Sequence, residues 1–270
     1  MRFVTFTTKA TGIRAGILSN DGVVPLSGSA RDILAGLDNP HPTGEAIPLA
    51  DVRLLPPIPD PQKIICVGQN YRDHCAEQNV PLPDRPIIFT KFVTSLAGPR
   101  DNIVLPRIST QIDFEIELAF VIGKTGKHIP KERALDHVAG YMVFNDVTAR
   151  DIQRADKQWV RGKSCDTFAP CGPALVTRDE IPDPQNLKLK LSVNGVAMQS
   201  SNTSQMIFGV ADLIAFLSQT ITLVPGDIIS TGTPPGVGHF RKPPVYLKPG
   251  DKVVATIEKL GSLENTCVAE

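Results

Sequence analysis

The chain has 270 residues, enough for one large domain or a large domain with a small appendage, and its 41% hydrophobic content matches a soluble globular protein with a sizeable core. Lys+Arg and Asp+Glu number 28 each, so the net charge is zero, and the absence of a basic patch or arm argues against nucleic acid as the main partner. No run approaches membrane-spanning length, the start MRFVTFTTKATG lacks an apolar leader core, and the five cysteines (Cys66, Cys75, Cys165, Cys171, Cys267) form no CxxC pair, which together predict a cytoplasmic protein with reduced thiols.

Residues 2–6 and 14–18 read as strands, with Asn20-Asp21-Gly22 as a hairpin turn. Residues 29–37 suit a short helix, ended by Asn39-Pro40-His41-Pro42. The Pro-rich run 55–61 reads as a connector. It divides a small β-rich N-terminal module, 1–58, from a main domain, 59–270. In the main domain, 63–67 and 87–89 read as buried strands. Between them, 72–78 has helical character and is bounded by Pro81, Pro83 and Pro86. A helix is expected over 131–138, and a strand over 140–144 that ends in Asn145-Asp146. A second helix includes 149–156, with Asn145, Asp146 or Thr148 as its cap. Further β-structure is expected at 170–177, 187–193 and 196–199 around the Asn194-Gly195 turn. An amphipathic helix follows at 208–218, then strands at 226–231 and 252–257. Strands outnumber helices, which gives an α/β, β-rich fold with mixed pairing.

The chemistry centres on Asp113-Phe114-Glu115-Ile116-Glu117-Leu118-Ala119-Phe120. As a strand, it puts Phe114, Ile116, Leu118 and Phe120 on one face and Asp113, Glu115 and Glu117 on the other. An edge strand with its acidic face in water is one reading. The other is a divalent ion held by Glu115, Glu117 and Asp146, because buried like charges need a cation and hard oxygen donors suit Mg²⁺ or Mn²⁺, with Ca²⁺ a further choice. No Cys/His cluster offers a zinc site.

Arg150 and Gln153 project from one helical face, with Arg154 near it, and an arginine there can hold a substrate carboxylate or simply neutralise Asp146 or Asp151. Lys163 follows a flexible glycine, Gly162, and can reach an oxyanion. His74 and Glu77 stand at i and i+3, where the carboxylate can orient the imidazole as a base, on a segment able to move as a lid does. The loop Gly232-Thr233-Pro234-Pro235-Gly236 is no Walker or dinucleotide loop, but its amides can bind an anion.

Taken in order, the chain resembles the fumarylacetoacetate hydrolase family. The motifs are G-x-N-Y ending at Tyr71, H-x-x-E at His74 and Glu77, D-F-E-I-E-L at 113–118, F-N-D-V-T-A-R-D-I-Q at 144–153, R-G-K-S at 161–164 and S-T-G-T-P-P-G-V-G at 230–238. The match runs from about residue 62 to the C-terminus, and no motif position departs from the family pattern. The resemblance, closest to the acylpyruvase-like branch, implies a mixed β-sandwich roll that usually dimerises. It implies a metal on Glu115, Glu117 and Asp146, and substrate-binding and oxyanion-stabilising roles for Arg150, Gln153, Lys163 and Thr233. His74 and Glu77 match a dyad on a mobile lid.

The expected reaction is hydrolysis of a carbon–carbon bond in a 2,4-dioxo acid, an acylpyruvate, giving pyruvate and a carboxylic acid. The 2-oxo group and carboxylate would chelate the metal, His74 with Glu77 would deprotonate water, and the metal with Lys163 would stabilise the pyruvate enolate. The alternatives are oxaloacetate decarboxylation, or isomerisation or dehydration of a 2-oxo acid, through the same enolate chemistry. A member of the fold that only binds a metabolite is the remaining reading, and the intact dyad argues against it.

Overall fold

The structure, a computed structural model, describes residues 1–36 and 39–270. The strand Ile116–Ile122 is buried at every position and lies in the middle of an eleven-stranded sheet. Its neighbours are the antiparallel strands Val138–Asn145 and Ile228–Ser230. Beyond Ile228–Ser230 the sheet continues through Ile64–Gly68 to Ile87–Thr90. On the other side it runs from Val138–Asn145 through Ala169–Thr177 to Arg2–Thr7, Arg14–Ser19 and Gly22–Pro25. The N-terminal strands therefore extend the central sheet, with Arg2 opposite Val176 and Phe3 opposite Leu175.

A five-stranded sheet packs over one face, in the order Val196–Asn202, Lys188–Val193, Lys252–Ile257, Gly261–Ala269, Ile103–Leu105. Ile116, Leu118, Phe120 and Ile122 point into the core between the sheets, where Leu189, Leu191, Val253, Ala255 and Leu263 also sit. Ala119 and Val121, on the Glu117 side of the strand, enter a second core with Phe3, Ile64, Cys66, Met142 and Phe144. Burial on both faces rules out the edge-strand reading. Each large apolar side chain so buried contributes about 1.5–3 kcal/mol, which holds the acidic residues at the strand's start in fixed positions.

The expected strand 113–120 is interrupted. Ile112–Asp113 pairs with Thr148–Ala149, and the main strand begins only at Ile116. The helices are few and short. Arg72–Gln78 and Arg150–Asp156 fall where expected, and Val210–Ser218 starts two residues later than its apolar pattern suggests. Lys131–His137 is a 3₁₀ segment, not an α-helix. The first helix spans Ala30–Leu34, and the expected end at Leu37 lies outside the described residues. The Asn194-Gly195 turn joins its two strands with both residues at positive φ (51° and 79°), the requirement of a two-residue hairpin. A further strand, Gly261–Ala269, follows the one expected to be last. All five cysteines are unpaired. Among the described residues, no helix is long and apolar enough to cross a membrane.

Candidate active site

Three chain segments meet at the start of the central strand. Glu115 sits in the break before it, where its amide donates to Asn145 Oδ1 at 3.0 Å and the Ile116 amide donates to Gln199 Oε1 at 3.0 Å. Glu117 is the strand's second residue. Asp146 directly follows the neighbouring strand, and its amide donates to the Glu115 carbonyl at 2.8 Å. These pairings bring Glu115, Glu117 and Asp146 together, all buried, with one carboxylate oxygen of each within 4.8 Å of the others. Asp146 is not a helix cap. The helix starts at Arg150 without a side-chain cap, because Thr148 and Ala149 pair with Ile112–Asp113 first.

Cations surround the cluster. Lys163, at the end of the short helix Val160–Lys163, donates to Glu115 Oε2 at 2.5 Å and Asp146 Oδ2 at 2.6 Å. Lys91, fully buried just past the strand Ile87–Thr90, donates to Asp146 Oδ1 at 2.6 Å and the Val147 carbonyl at 3.1 Å. Arg150 donates through Nε to Asp113 Oδ2 at 2.8 Å, through Nη1 to Gln153 Oε1 at 3.2 Å, and through Nη2 to Glu115 Oε1. Most of its donors are thus occupied by protein acceptors. Gly162 is not a flexible spacer: a Cβ there would lie 2.8 Å from the Gln153 nitrogen and 2.9 Å from the Ala149 oxygen. Glycine at 162 lets the Lys163 helix press against the Arg150 helix.

The buried charges do not balance. Asp113, Glu115, Glu117 and Asp146 face Lys91, Arg150 and Lys163, leaving one carboxylate without a cation. Glu117 absorbs the imbalance. Burial, then the charges of Asp146 and Glu115, push its carboxyl well above the usual 4.5, although Oε2 accepts from Ser230 Oγ (2.6 Å) and the Gly232 amide (2.7 Å). Burial also works against Glu115, but Arg150 and Lys163 outweigh it and hold its carboxyl at about 2. Lys163 is likewise raised against burial by Asp146 and Glu115. A buried carboxyl whose ionisation is opposed by two neighbouring carboxylates, inside an all-oxygen donor set, fits a hard divalent cation.

The helix Arg72–Gln78 carries the dyad. Glu77 Oε2 lies 2.8 Å from His74 Nδ1, so the carboxylate accepts a hydrogen bond from Nδ1–H and leaves Nε2 as the basic nitrogen. The segment is fastened on several sides. Ser201 Oγ donates to Asp73 at 2.6 Å, Arg72 donates to the Met206 carbonyl at 2.6 Å, and the Gly236 amide donates to Glu77 Oε1 at 2.8 Å. The 232–238 loop amides are engaged by the chain's own carboxylates: Gly232 by Glu117, Gly236 by Glu77 and Gly238 by Asp113. They serve as internal clamps, not as an open anion site.

A cavity of about 400 Å³ opens over the cluster. His74, Glu115, Glu117, Asp146, Arg150, Gln153, Lys163 and Thr233 line it. Glu77 lies behind His74, so the structure gathers every residue expected from the sequence into one place. Thr233 Oγ1 donates to the Ile116 carbonyl at 2.9 Å and accepts from Gln199 Nε2 at 2.8 Å. Phe89 and Trp159 supply an apolar wall, with their rings edge to face at 5.3 Å. Lys91, Gln199, His239 and Phe240 belong to this site and were not expected. Lys91 and Gln199 reach it across 55 and 83 residues of chain. A lysine closing an apolar strand was the only local sign of Lys91.

Residues 63–268 match the family model described as fumarylacetoacetate (FAA) hydrolase, C-terminal. The chain belongs to the fumarylacetoacetate hydrolase family. Residues 1–57 match a second model, Rv2993c-like, N-terminal. Oxaloacetate tautomerase FAHD2A, mitochondrial, of Bos taurus is 57% identical over 224 residues, covering 82% of this chain and 71% of that protein. The 2,4-didehydro-3-deoxy-L-rhamnonate hydrolase of a Sphingomonas strain is 47% identical over 256 residues, 89% of each chain. The crystal structure of 5-carboxymethyl-2-hydroxymuconate delta-isomerase from Mycobacterium smegmatis superposes over the whole of both chains with a TM-score of 0.86 at 39% identity. The relatives are enzymes of this one family, and they carry a tautomerase, a hydrolase and an isomerase name.

Proposed function

We propose that this protein is a metal-dependent tautomerase that interconverts the keto and enol forms of oxaloacetate or a closely similar 2-oxo diacid. The observation that carries the reading is the His74–Glu77 pair opening onto the same cavity as the Glu115, Glu117 and Asp146 cluster. That arrangement suits proton removal next to a carbonyl, and the 57% identity to an oxaloacetate tautomerase supports the choice of substrate.

Glu115, Glu117 and Asp146 would hold the ion, and their hard oxygens favour Mg²⁺ or Mn²⁺. A bound divalent ion supplies Lewis-acid polarisation of the 2-oxo group, worth several kcal/mol. His74 Nε2 takes the C3 proton of the keto form, and Glu77 stabilises the imidazolium that results. The same ring returns a proton to the 2-oxo oxygen or to C3, which sets the direction of interconversion. Base catalysis of this kind contributes about 10²–10⁴-fold. Lys163 and Lys91 hold the Asp146 carboxylate in place through hydrogen bonds, while Gln153 and Thr233 border the substrate. Phe89 and Trp159 exclude water from one wall.

Hydrolytic cleavage of a 2,4-dioxo acid is the second reading. Its support is the hydrolase name of the Sphingomonas relative and the same dyad, with His74 deprotonating water instead of C3. The experiment that separates the readings supplies oxaloacetate and a short acylpyruvate to metal-stripped protein in H₂¹⁸O, with Mg²⁺ added back. Faster keto–enol exchange without pyruvate release supports the tautomerase. Label in a released acid establishes the hydrolase, and pyruvate from oxaloacetate establishes a decarboxylase. We further propose that 1–58 is a small module set on a catalytic domain, 59–270, and that the protein works as a homodimer. A sedimentation experiment that finds only monomer refutes the dimer.

A further inference from the structure

The cations nearest the cluster are already committed. Lys91, Arg150 and Lys163 are buried in ion pairs with Asp113, Glu115 and Asp146. With an ion in place they complete the neutralisation of the acid cluster and leave little positive charge for a second substrate carboxylate. The same cavity, however, has another basic end. Arg154 and Lys157 line it, are exposed, and make no ion pair with a carboxylate among the described residues.

Arg154 is one helical turn beyond Arg150, so the two guanidinium groups leave the helix Arg150–Asp156 on the same face. Arg150 reaches inward to the acid cluster, and Arg154 stands towards the solvent side. Its head is held in advance of any ligand. Nη2 donates to Gln111 Oε1 at 2.6 Å, and Nη1 lies 3.4 Å from His239 Nε2. His239 is itself anchored, with Nδ1 2.8 Å from the Tyr246 hydroxyl. Burial, then the charges of Arg150 and Arg154, lower the His239 pKa, so the ring is neutral and Nε2 accepts from the guanidinium. Phe240 links this end to the reacting end: its ring meets His74 edge-on at 6.0 Å and His239 at 5.1 Å.

We propose that Arg154, positioned by His239 and Gln111, binds the remote carboxylate of a dicarboxylic 2-oxo acid, and so selects diacids over monoacids. This assignment rests on the functional reading above for its substrate class. An arginine held from one side keeps N–H groups on the other free for a carboxylate, and pre-positioning lowers the entropy lost on binding. Lys157 adds positive charge at the mouth without a fixed contact.

The test measures affinity without turnover. The probes are 3,3-difluoro-oxaloacetate and 3,3-difluoro-2-oxobutanoate, which lack a C3 hydrogen and cannot enolise. Calorimetry is run with Mg²⁺ on the wild-type, Arg154→Gln, Arg154→Lys and His239→Gln proteins. The wild type is expected to prefer the diacid by about tenfold or more, the scale of a charge-assisted contact. Arg154→Gln removes most of that preference and leaves the monoacid affinity unchanged. Arg154→Lys restores part of it, and His239→Gln weakens it. A wild type without preference, or an Arg154→Gln protein that keeps it, overturns the proposal. Failure of the wild type to equilibrate oxaloacetate would refute the tautomerase reading, while the binding ratio would still judge Arg154.

Discussion

Replacing Glu117 with glutamine separates the two states of the acid cluster. In the metal-free protein burial, then the neighbouring Asp146 and Glu115 charges, oppose ionisation of Glu117 and push its carboxyl well above the usual value. Glutamine is neutral and of the same shape. Its carbonyl keeps the bonds from Ser230 and Gly232, and its amide group can donate towards the remaining carboxylates. At pH values below the ordinary 4.5 of a glutamate, where the carboxyl is protonated folded and unfolded alike, metal-free Glu117→Gln is therefore expected to unfold within about 1 kcal/mol of wild type, since no buried group loses its partner. The metal-bound states differ. Mg²⁺ at 100 times its dissociation constant stabilises the wild type by about 2.7 kcal/mol, and a variant weakened a hundredfold by only about 0.4 kcal/mol. For a chain of this size that is roughly 5–11 °C of melting temperature against about 1 °C. Thermal unfolding with EDTA and then with Mg²⁺ gives both numbers. The pH dependence of the metal-free difference adds a check of sign. Glu117 has a folded pKa above its ordinary 4.5, so its contribution is complete below that value and is lost as pH rises through the folded pKa. Wild type should therefore lose stability relative to Glu117→Gln as pH rises. A metal-free variant that melts far below wild type, or one that keeps the full Mg²⁺ shift, refutes the account of the cluster.

Three further substitutions test its surroundings. His74→Ala should lower turnover by about 10²–10⁴-fold with Mg²⁺ affinity unchanged, and steady-state kinetics beside calorimetry show whether the two separate. Lys91→Met strips a fully buried cation from Asp146 and should cost about 3–5 kcal/mol in the metal-free protein, read by urea unfolding. Wild-type stability in that variant would mean that Lys163 alone satisfies Asp146. Gly162→Ala forces a methyl against the backbone of Ala149 and Gln153 and should cost about 1–3 kcal/mol. Its activity should fall as well, because the displaced helix carries Lys163, and a fully active variant would contradict the close-packing argument.

The acid cluster was legible because its residues sit in strand and strand-end segments with clear apolar neighbours. Leu118 and Phe120 reported the strand, and Tyr141 to Phe144 reported the one that delivers Asp146. The dyad was legible because i, i+3 spacing is local. Contacts made across the chain were not. Lys91 lies 55 residues from Asp146, and Gln199 lies 83 residues from Ile116, so nothing near either one states its partner. The loop amides looked open because their acceptors, Glu77, Asp113 and Glu117, come from three other segments. The final strand Gly261–Ala269 escaped because buried Asn265 breaks the apolar alternation. Its side-chain amide is satisfied by the Gly98 and Asp101 carbonyls, 3.1 and 2.8 Å away. The break at Phe114 and Glu115 was hidden by an unbroken alternation, which continues even though the pairing partner changes.

The central claim joins the acid cluster and the dyad in one proton-transfer site, and the most direct measurement is the rate of oxaloacetate keto–enol equilibration by metal-stripped protein, before and after Mg²⁺ is restored. The enol absorbance reports it without coupling enzymes. The account predicts a rate near the uncatalysed one in EDTA, a large Mg²⁺-dependent rise in the wild type, and loss of most of that rise in His74→Ala. Equilibration no faster with Mg²⁺ than without, or a His74→Ala protein as fast as wild type, would contradict it.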